Sequence, residues 1–281
     1  MSKPIALHCG KLALGLAAAS LLLAGCGKPT SPAAAAPSAA TVGPGAIGGA
    51  VMGASGPEAG VWVIAETAEL GTRFLKIVVT DDQGRFLLPE LPAAHYQVWV
   101  RGYGLADSAK VAAKPGDKTL ALTATAAASP AEAAKVYPAA YWYSMINLPT
   151  ADEVTGISGG LNGYLMTIKN MGCVGCHQLG QLATRTLPPA FSGMDSAHEA
   201  WVRRTQSGQA GGNMVAIAAQ QLRGLPYKYL GEWTDRVAKG ELPKTQPTRP
   251  QGIERNVVVT VRDWASPKSY LHDLSGTDRR N

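Results

Sequence analysis

One short run in the second half of the chain carries groups that can do chemistry: Cys173-Val174-Gly175-Cys176-His177. Two thiols at this spacing can each add to one vinyl group of a porphyrin, and the adjacent imidazole then lies beneath the iron. The motif therefore predicts one covalently attached c-type haem. Cys173 and Cys176 would be the tethers, and His177 would be the proximal iron ligand.

Two other chemistries use cysteines at this spacing. A thioredoxin-like dithiol requires a strand before the motif and a helix after it, and it has no use for the histidine. A zinc site needs a second pair of ligands at metal-binding spacing, and the sequence contains none. Haem attachment is more consistent with the sequence than either of them.

The amino terminus has the pattern of an export signal over residues 1–25. Lys3 and Lys11 precede an apolar run, 12–23, which is too short to span a bilayer. The run ends in Leu23-Ala24-Gly25-Cys26, which resembles the lipobox of bacterial lipoproteins. That resemblance implies cleavage before Cys26 and attachment of a lipid to its thiol. The alternative is an ordinary secreted protein that is cleaved elsewhere.

A lipid on Cys26 would hold the protein to a membrane surface without spanning it. The expected location is the periplasmic face of a bacterial cell envelope. Gly27 and Lys28 follow the lipidated residue where lipoproteins of the inner membrane carry aspartate, which favours the outer membrane. Cleavage would leave Cys173 and Cys176 as the only unmodified thiols, so no structural disulfide is expected.

Length and charge set limits on the class of protein. A chain of 281 residues can form two domains with separate cores. The formal charge of +6 is scattered along the chain, with no basic run interleaved with aromatic residues. We therefore expect no nucleic-acid partner.

Between the signal and the haem motif, the composition changes twice. Residues 26–45 are rich in Ala, Pro, Ser and Gly, which predicts a flexible tether. Residues 46–124 alternate short β-prone runs with turn signals, which predicts a small antiparallel β-sandwich. The strands are expected at 60–65, 75–80, 85–88 and 96–100, and Gly84 is expected to end a turn with a positive φ.

The run from Thr80 to Phe86, followed by Leu91-Pro92, Tyr96 and Val98, resembles the carboxypeptidase regulatory-like (transthyretin-like) domain. Ala94 replaces a glycine that is usual in that family. The resemblance implies a spacer or docking module, since no residue of this region points to catalysis.

After an Ala- and Pro-rich linker, 125–150, the apolar residues take a helical period over 151–246. Tyr164, Leu165, Ile168 and Met171 are predicted to share one face of a helix. A second helix is expected from the Ser196 cap, and a third from Pro226. Their apolar positions, which we expect to face a core, are Ala197, Ala200, Trp201, Tyr229, Leu230, Trp233 and Val237.

Helices around a haem motif resemble the class I cytochrome c family over residues 155–243. In that family a proline carbonyl accepts the Nδ1 proton of the proximal histidine, and Pro188 or Pro189 has the corresponding place. The family's sixth iron ligand is a methionine, for which we favour Met214 because it follows a Gly-rich run. Met194 and His198 are the alternatives. Arg203, Arg204 and Arg223 are candidate partners of the haem propionates.

The expected fold is thus a small all-β sandwich followed by an all-α haem domain, and the expected function is one-electron transfer with a periplasmic or membrane-bound redox partner protein. One rival is a haem enzyme or sensor with an open sixth site that takes peroxide or a small gas. The other is a binding lipoprotein that uses its β domain.

Residues 247–281 are predicted to form an extension with an orphan strand at 256–264, which would pair with another subunit or with a β-propeller module.

Overall fold

The structure, a computed structural model, describes residues 42–263 except 177, 192 and 209. The predicted export signal, Cys26, most of the predicted tether and His177 therefore lie outside the described residues. Within those ranges, no helix is both long and apolar enough to cross a membrane. A β-rich part is followed by a helical part, and the last strand returns to the β-rich part.

The strands alternate with tight turns over the first half of the described chain. They are β1 (Ile47–Gly53), β2 (Gly56–Pro57), β3 (Trp62–Leu70), β4 (Thr72–Val79), β5 (Arg85–Leu88), β6 (Tyr96–Arg101), β7 (Leu105–Ala106), β8 (Val111–Ala113), β9 (Leu120–Thr123), β10 (Thr125–Ala126) and β11 (Val259–Arg262). The four strands expected from β-branched and aromatic runs are confirmed as β3 to β6. The turn between β4 and β5 is also confirmed, because Gly84 has a φ of +70° and donates to the carbonyl of Asp81 at 3.0 Å.

Two sheets share one apolar core. In the first, β1 pairs antiparallel with β2 and β5 and parallel with β9. The second has the order β11-β4-β3-β6-β8 and is antiparallel throughout. The core between them includes Ile47 and Leu88 from the first sheet and Val63 and Tyr96 from the second, each fully buried.

The expectation of a fully antiparallel sandwich was wrong for one pair of strands, because β1 and β9 are parallel. Parallel neighbours need a long crossover connection. The chain supplies one, because the strands β3 to β8 all lie between β1 and β9 in the sequence.

The orphan strand is a second correction. β11 pairs antiparallel with β4, with Val259 opposite Ile77 and Val261 opposite Leu75. It therefore becomes an edge of the second sheet, and its partner lies in the same chain. Arg249 holds the segment that leads back to the sheet, because its guanidinium donates to Glu58 at 2.5 Å and to the Tyr103 carbonyl at 3.1 Å.

The helical part consists of short helices. They are α1 (Pro130–Ala134), α2 (Ala139–Tyr143), α3 (Gly160–Met166), α4 (Cys173–Cys176), α5 (Leu182–Arg185), α6 (Ala197–Thr205), α7 (Gly211–Val215) and α8 (Leu225–Ala238). Two π-helical segments, Thr167–Met171 and Ala216–Gln221, continue α3 and α7, and 3₁₀ turns cover Pro189–Phe191 and Gly252–Asn256.

One apolar cluster, which we call the tryptophan cluster, joins these helices. Its buried members are Ala134, Trp142, Trp201, Ala218, Tyr227, Leu230 and Trp233. Of the residues predicted to face inward on α6 and α8, Trp201, Leu230 and Trp233 are buried members of this cluster and Val237 packs against it. Ala197, Ala200 and Tyr229 are also buried, but they are not members of it. Ser196 caps α6 by accepting from the Glu199 amide at 3.2 Å. The segment predicted as a linker also contributes, because α1 and α2 supply Ala134 and Trp142.

The predicted face of the helix before the haem motif is only partly correct. Tyr164 and Ile168 are buried, but Met171 is 76% exposed. The reason is the π-helical segment, whose hydrogen bonds run from residue i to i+5 and widen the turn. The wider turn rotates Met171 away from the face that Tyr164 and Ile168 share.

Candidate functional site

Gly172 sets the position of the two thiols. Its amide donates to the Thr167 carbonyl at 2.8 Å, which closes the first π-helical segment. A Cβ at residue 172 would lie 2.5 Å from that carbonyl oxygen, so only glycine fits without a shift of the backbone. The chain then turns directly into α4, which contains both cysteines.

The thiols of α4 are free and have different surroundings. Cys173 is half-buried, and burial raises the pKa of its thiol, whereas Cys176 is exposed. Residues three apart on a helix lie on neighbouring positions of one face. α4 therefore presents one inner and one outer thiol along a single turn, and the chain continues into the undescribed His177.

Cys173 packs against a second apolar group, which we call the cysteine cluster. Its buried members are Val154, Ile157, Tyr164, Ile168 and Leu222. Tyr143 borders it and donates to the Ile168 carbonyl at 3.1 Å. Burial raises the pKa of both Tyr143 and Tyr164, so both phenols stay protonated at neutral pH. The Tyr164 hydroxyl is fully buried and has no hydrogen-bond partner among the described residues.

The loop after the motif brings a buried arginine onto Trp142. Gly180, at a φ of +99°, packs so closely on α2 that a Cβ there would lie 2.9 Å from the Tyr143 nitrogen. Its carbonyl accepts a 2.7 Å hydrogen bond from Arg185, whose guanidinium lies 4.1 Å from the centre of a Trp142 ring. Arg185 is only 8% exposed, and burial lowers its pKa to about 10.

No carboxylate within the described part of the chain forms an ion pair with Arg185. The indole Nε1 of Trp142 is also fully buried without a hydrogen-bond partner among the described residues. A buried cation and a buried donor therefore lie together, and each has hydrogen-bonding capacity left for an anion. Sequence reasoning missed this pair, because nothing in the local pattern distinguishes Arg185 from a surface arginine.

Two of the three arginines predicted to hold propionates, Arg203 and Arg204, donate hydrogen bonds within the helical part. Arg203 donates to Ser207 at 3.0 Å on the exposed face of α6. Arg204 donates to carbonyls at the end of α5, among them Thr186 at 3.1 Å, and lies over Trp201. The guanidinium of Arg223 lies beside Gly156. The hydrogen bonds of Arg203 and Arg204 stabilise the helical part itself, and the pairing of any of the three arginines with a propionate stays a prediction.

Met214 lies half-buried within α7. The Gly-rich run before it, for which Met214 was favoured, is partly helical, because Gly211 to Asn213 lie in α7. Gly211 allows this turn because a Cβ there would come within 3.0 Å of the Gln206 backbone. The π-helical segment that follows Met214 contributes Ile217 to the cysteine cluster, and its Gln221 donates to Thr167 at 3.2 Å. The structure thus packs the Met214 segment against the helix that leads to the thiols.

The alternative ligands lie elsewhere in the helical part. Met194 is 40% exposed and lines a groove of about 530 Å³ together with Pro188 and Pro189. The Pro188 carbonyl accepts a hydrogen bond from the Phe191 amide at 2.9 Å. His198 is exposed on α6, and its ring makes a T-shaped contact with Tyr227, with 6.0 Å between the ring centres.

Acidic, histidine and cysteine side chains do not gather into a ready-made metal site within the described ranges. His177 lies outside those ranges. No protein-family model matches the chain, and the comparison with curated proteins finds no match.

From the contacts described above, the candidate site consists of α4, the cysteine cluster, the Met214 segment and the Arg185–Trp142 pair.

Proposed function

We propose that the protein is a one-electron carrier of the bacterial cell envelope, with a single c-type haem attached through Cys173 and Cys176. The observation that carries this proposal is the Cys-Val-Gly-Cys-His motif, whose two thiols are free and lie on one helical turn beside an apolar cluster. His177 would be the proximal ligand, as the motif implies.

The residues of the candidate site fit a large, mostly apolar group that carries carboxylates. The cysteine cluster offers aliphatic and aromatic side chains on the Cys173 side. The buried hydroxyl of Tyr164 and the buried indole nitrogen of Trp142 lack partners among the described residues. A haem brings both an apolar ring and two propionates, so its chemistry corresponds to what these residues leave unsatisfied.

Each residue then has a distinct task. Cys173 and Cys176 would fix the ring by two thioether bonds, and the raised pKa of Cys173 keeps that thiol protonated until it reacts. Arg185 and Trp142 would donate to a propionate, and the nearby guanidinium would keep that carboxyl ionised despite burial. Tyr143 and the cysteine cluster would exclude water from the inner side of the ring. Bound haem would supply the Fe(III)/Fe(II) couple.

Met214 is the residue that we propose as sixth ligand. Its segment is packed on the cysteine cluster through Ile217 and hydrogen-bonded to Thr167 through Gln221. Met194 and His198 remain the alternatives. A thioether ligand would favour the reduced iron and give a positive potential.

The spectrum of the purified holoprotein tests this assignment. Oxidised wild type should show the near-infrared band of methionine-ligated iron. Met214→Ala should abolish it and lower the reduction potential, whereas Met194→Ala, the matched control, should retain it. Loss of the band in Met194→Ala alone would move the ligand to Met194. A wild type with high-spin iron and no such band would refute the electron-carrier proposal in favour of an enzyme or sensor with an open site.

The cellular location is proposed from the lipobox-like Leu23-Ala24-Gly25-Cys26. A lipid on Cys26 would keep the haem-bearing part at a membrane surface, where it can exchange electrons with a redox partner protein in the periplasm or the same membrane. The β part would then act as a spacer or docking module, in line with its resemblance to carboxypeptidase regulatory-like domains.

A further inference from the structure

Among the residues that the structure describes, no strand pairs with the side of β11 that faces away from β4. The Asp263 amide donates to the Arg73 carbonyl of β4 at 2.9 Å. In an antiparallel ladder, alternate residues direct both backbone groups to the same neighbour. Val259 and Val261 therefore share the β4 side with Asp263, while the backbone groups of Val258, Thr260 and Arg262 point away from the sheet.

Before Arg262, this edge lacks the usual protection against strand pairing. Residues 257–261 contain four valines and one threonine, with no Pro, Gly or charged side chain. The valines are exposed to between 41% and 52%. By contrast, the opposite edge strand of the same sheet, β8, is short and is flanked by Lys110, Lys114 and Pro115. Native sheets protect open edges with such residues because an unprotected edge pairs with other strands.

The strand is also held in place before any partner arrives. Arg255 pairs with Asp82 and donates to the Pro250 carbonyl, and Arg262 lies over the ring of Phe74. Fewer degrees of freedom are lost on association when the binding segment is already ordered. Val257 and Val259 also border a hollow of about 380 Å³, whose lining includes Trp62, Ile77 and Tyr103.

We propose that a second copy of this chain occupies the edge, with two β11 strands pairing antiparallel about a two-fold axis at Thr260. The alternation of backbone groups carries this inference. Pairing about Thr260 sets Thr260 opposite its own copy and Val258 opposite Arg262, and all three of these residues have their backbone groups on the open side. The β11 edge is therefore self-complementary, and two sheets join into one.

Side chains and charges agree with this register. Val259 of one chain lies opposite Val261 of the other at the positions where cross-strand side chains are closest. The only charged residues of 257–263 are Arg262 and Asp263, and they lie opposite Val258 and Val257. No like charges face each other. In-register parallel pairing would instead stack Arg262 on Arg262 and Asp263 on Asp263.

The interface is limited to one strand edge, so we expect a reversible dimer whose population rises with concentration. A stable protein interface usually buries at least about 1,200 Å². In sedimentation velocity, the average mass of the purified full-length holoprotein should approach twice the chain mass as its concentration is raised. The Thr260→Pro variant should stay at the mass of one chain at every concentration. Proline removes the backbone N–H of residue 260, which points away from the sheet, and leaves the backbone hydrogen bonds between β11 and β4 in place.

Cysteine cross-linking in intact membranes tests the register. Thr260→Cys should form a covalent dimer under mild oxidation, because the two copies of residue 260 face each other within disulfide range. Val258→Cys and the wild type are the matched controls and should remain uncross-linked, since residue 258 faces residue 262. Equal cross-linking of residues 258 and 260 would overturn the proposal. A Thr260→Cys thiol that is shielded from a thiol reagent, yet not cross-linked, would also overturn it and show that another segment or protein covers the edge.

Discussion

Replacing Gly172 by alanine should destabilise the protein by about 1–3 kcal/mol, the usual cost of inserting a methyl group into a space that is already filled. The new Cβ would lie 2.5 Å from the Thr167 carbonyl oxygen and 3.0 Å from its Cγ2, and the first of these atoms is backbone and cannot rotate away. Relief requires lengthening the 2.8 Å hydrogen bond from residue 172 to Thr167, which closes the turn in front of both thiols.

Gly175→Ala is the matched control, three residues further along. A Cβ at Gly175 meets no atom within 4 Å, and it lies in α4, where alanine is favoured over glycine by up to about 1 kcal/mol. Urea unfolding of the two holoproteins measures the difference. With a slope of about 2 kcal/mol per M, a loss of about 2 kcal/mol lowers the midpoint by about 1 M. If the two variants unfold at the same midpoint, the tight contact at Gly172 is refuted.

Three further predictions concern charge and anchoring. The pKa of Glu153 is lowered from 4.5 to about 2 by hydrogen bonds from the Lys228 ammonium, the Tyr229 hydroxyl and Thr150. This carboxylate therefore stabilises the fold above pH 4.5, and its contribution is lost as the pH falls towards 2. The unfolding temperature of Glu153→Gln should therefore change less between pH 4.5 and pH 2 than that of the wild type. If the two proteins show the same pH dependence, Glu153 does not stabilise the fold in this way. Arg185→Gln should lower the reduction potential of the haem and make that potential more pH-dependent near neutrality. Arg203→Gln is the control and should change neither. Equal effects of the two substitutions would reject Arg185 as a propionate partner. Cys26→Ser should move the protein from the membrane to the soluble fraction, and unchanged fractionation would refute the lipid anchor.

Local features of the fold were predictable because they depend on neighbouring residues. The alternation in β3 to β6, the turn at Gly84 and the Ser196 cap each arise within a few positions of the sequence. The pairing of β11 with β4 was not predictable, because its partner lies far along the chain and many exposed strands have the same composition. The parallel β1·β9 pair escaped prediction for the same reason.

Within the candidate site, the thiols could be read directly from their spacing, but their surroundings could not. The burial of Arg185 depends on the approach of Gly180 to α2, which no local pattern encodes. Met171 was placed on the wrong face because a helical period of 3.6 does not hold through a π-helical segment. Met214 was favoured because it follows a Gly-rich run, and that run did not reveal that Met214 lies in α7, since glycines also permit a tight turn between helices.

The most direct test of the central claim is the intact mass of the chain after denaturation and acid-acetone extraction, from cells that can mature c-type cytochromes. The proposed attachment predicts that the pigment stays on the polypeptide, with a mass gain of one haem, and that Cys173→Ser combined with Cys176→Ser loses it. A wild-type chain whose pigment is fully extracted, or that never acquires haem in such cells, would contradict covalent attachment and the electron-carrier function that rests on it.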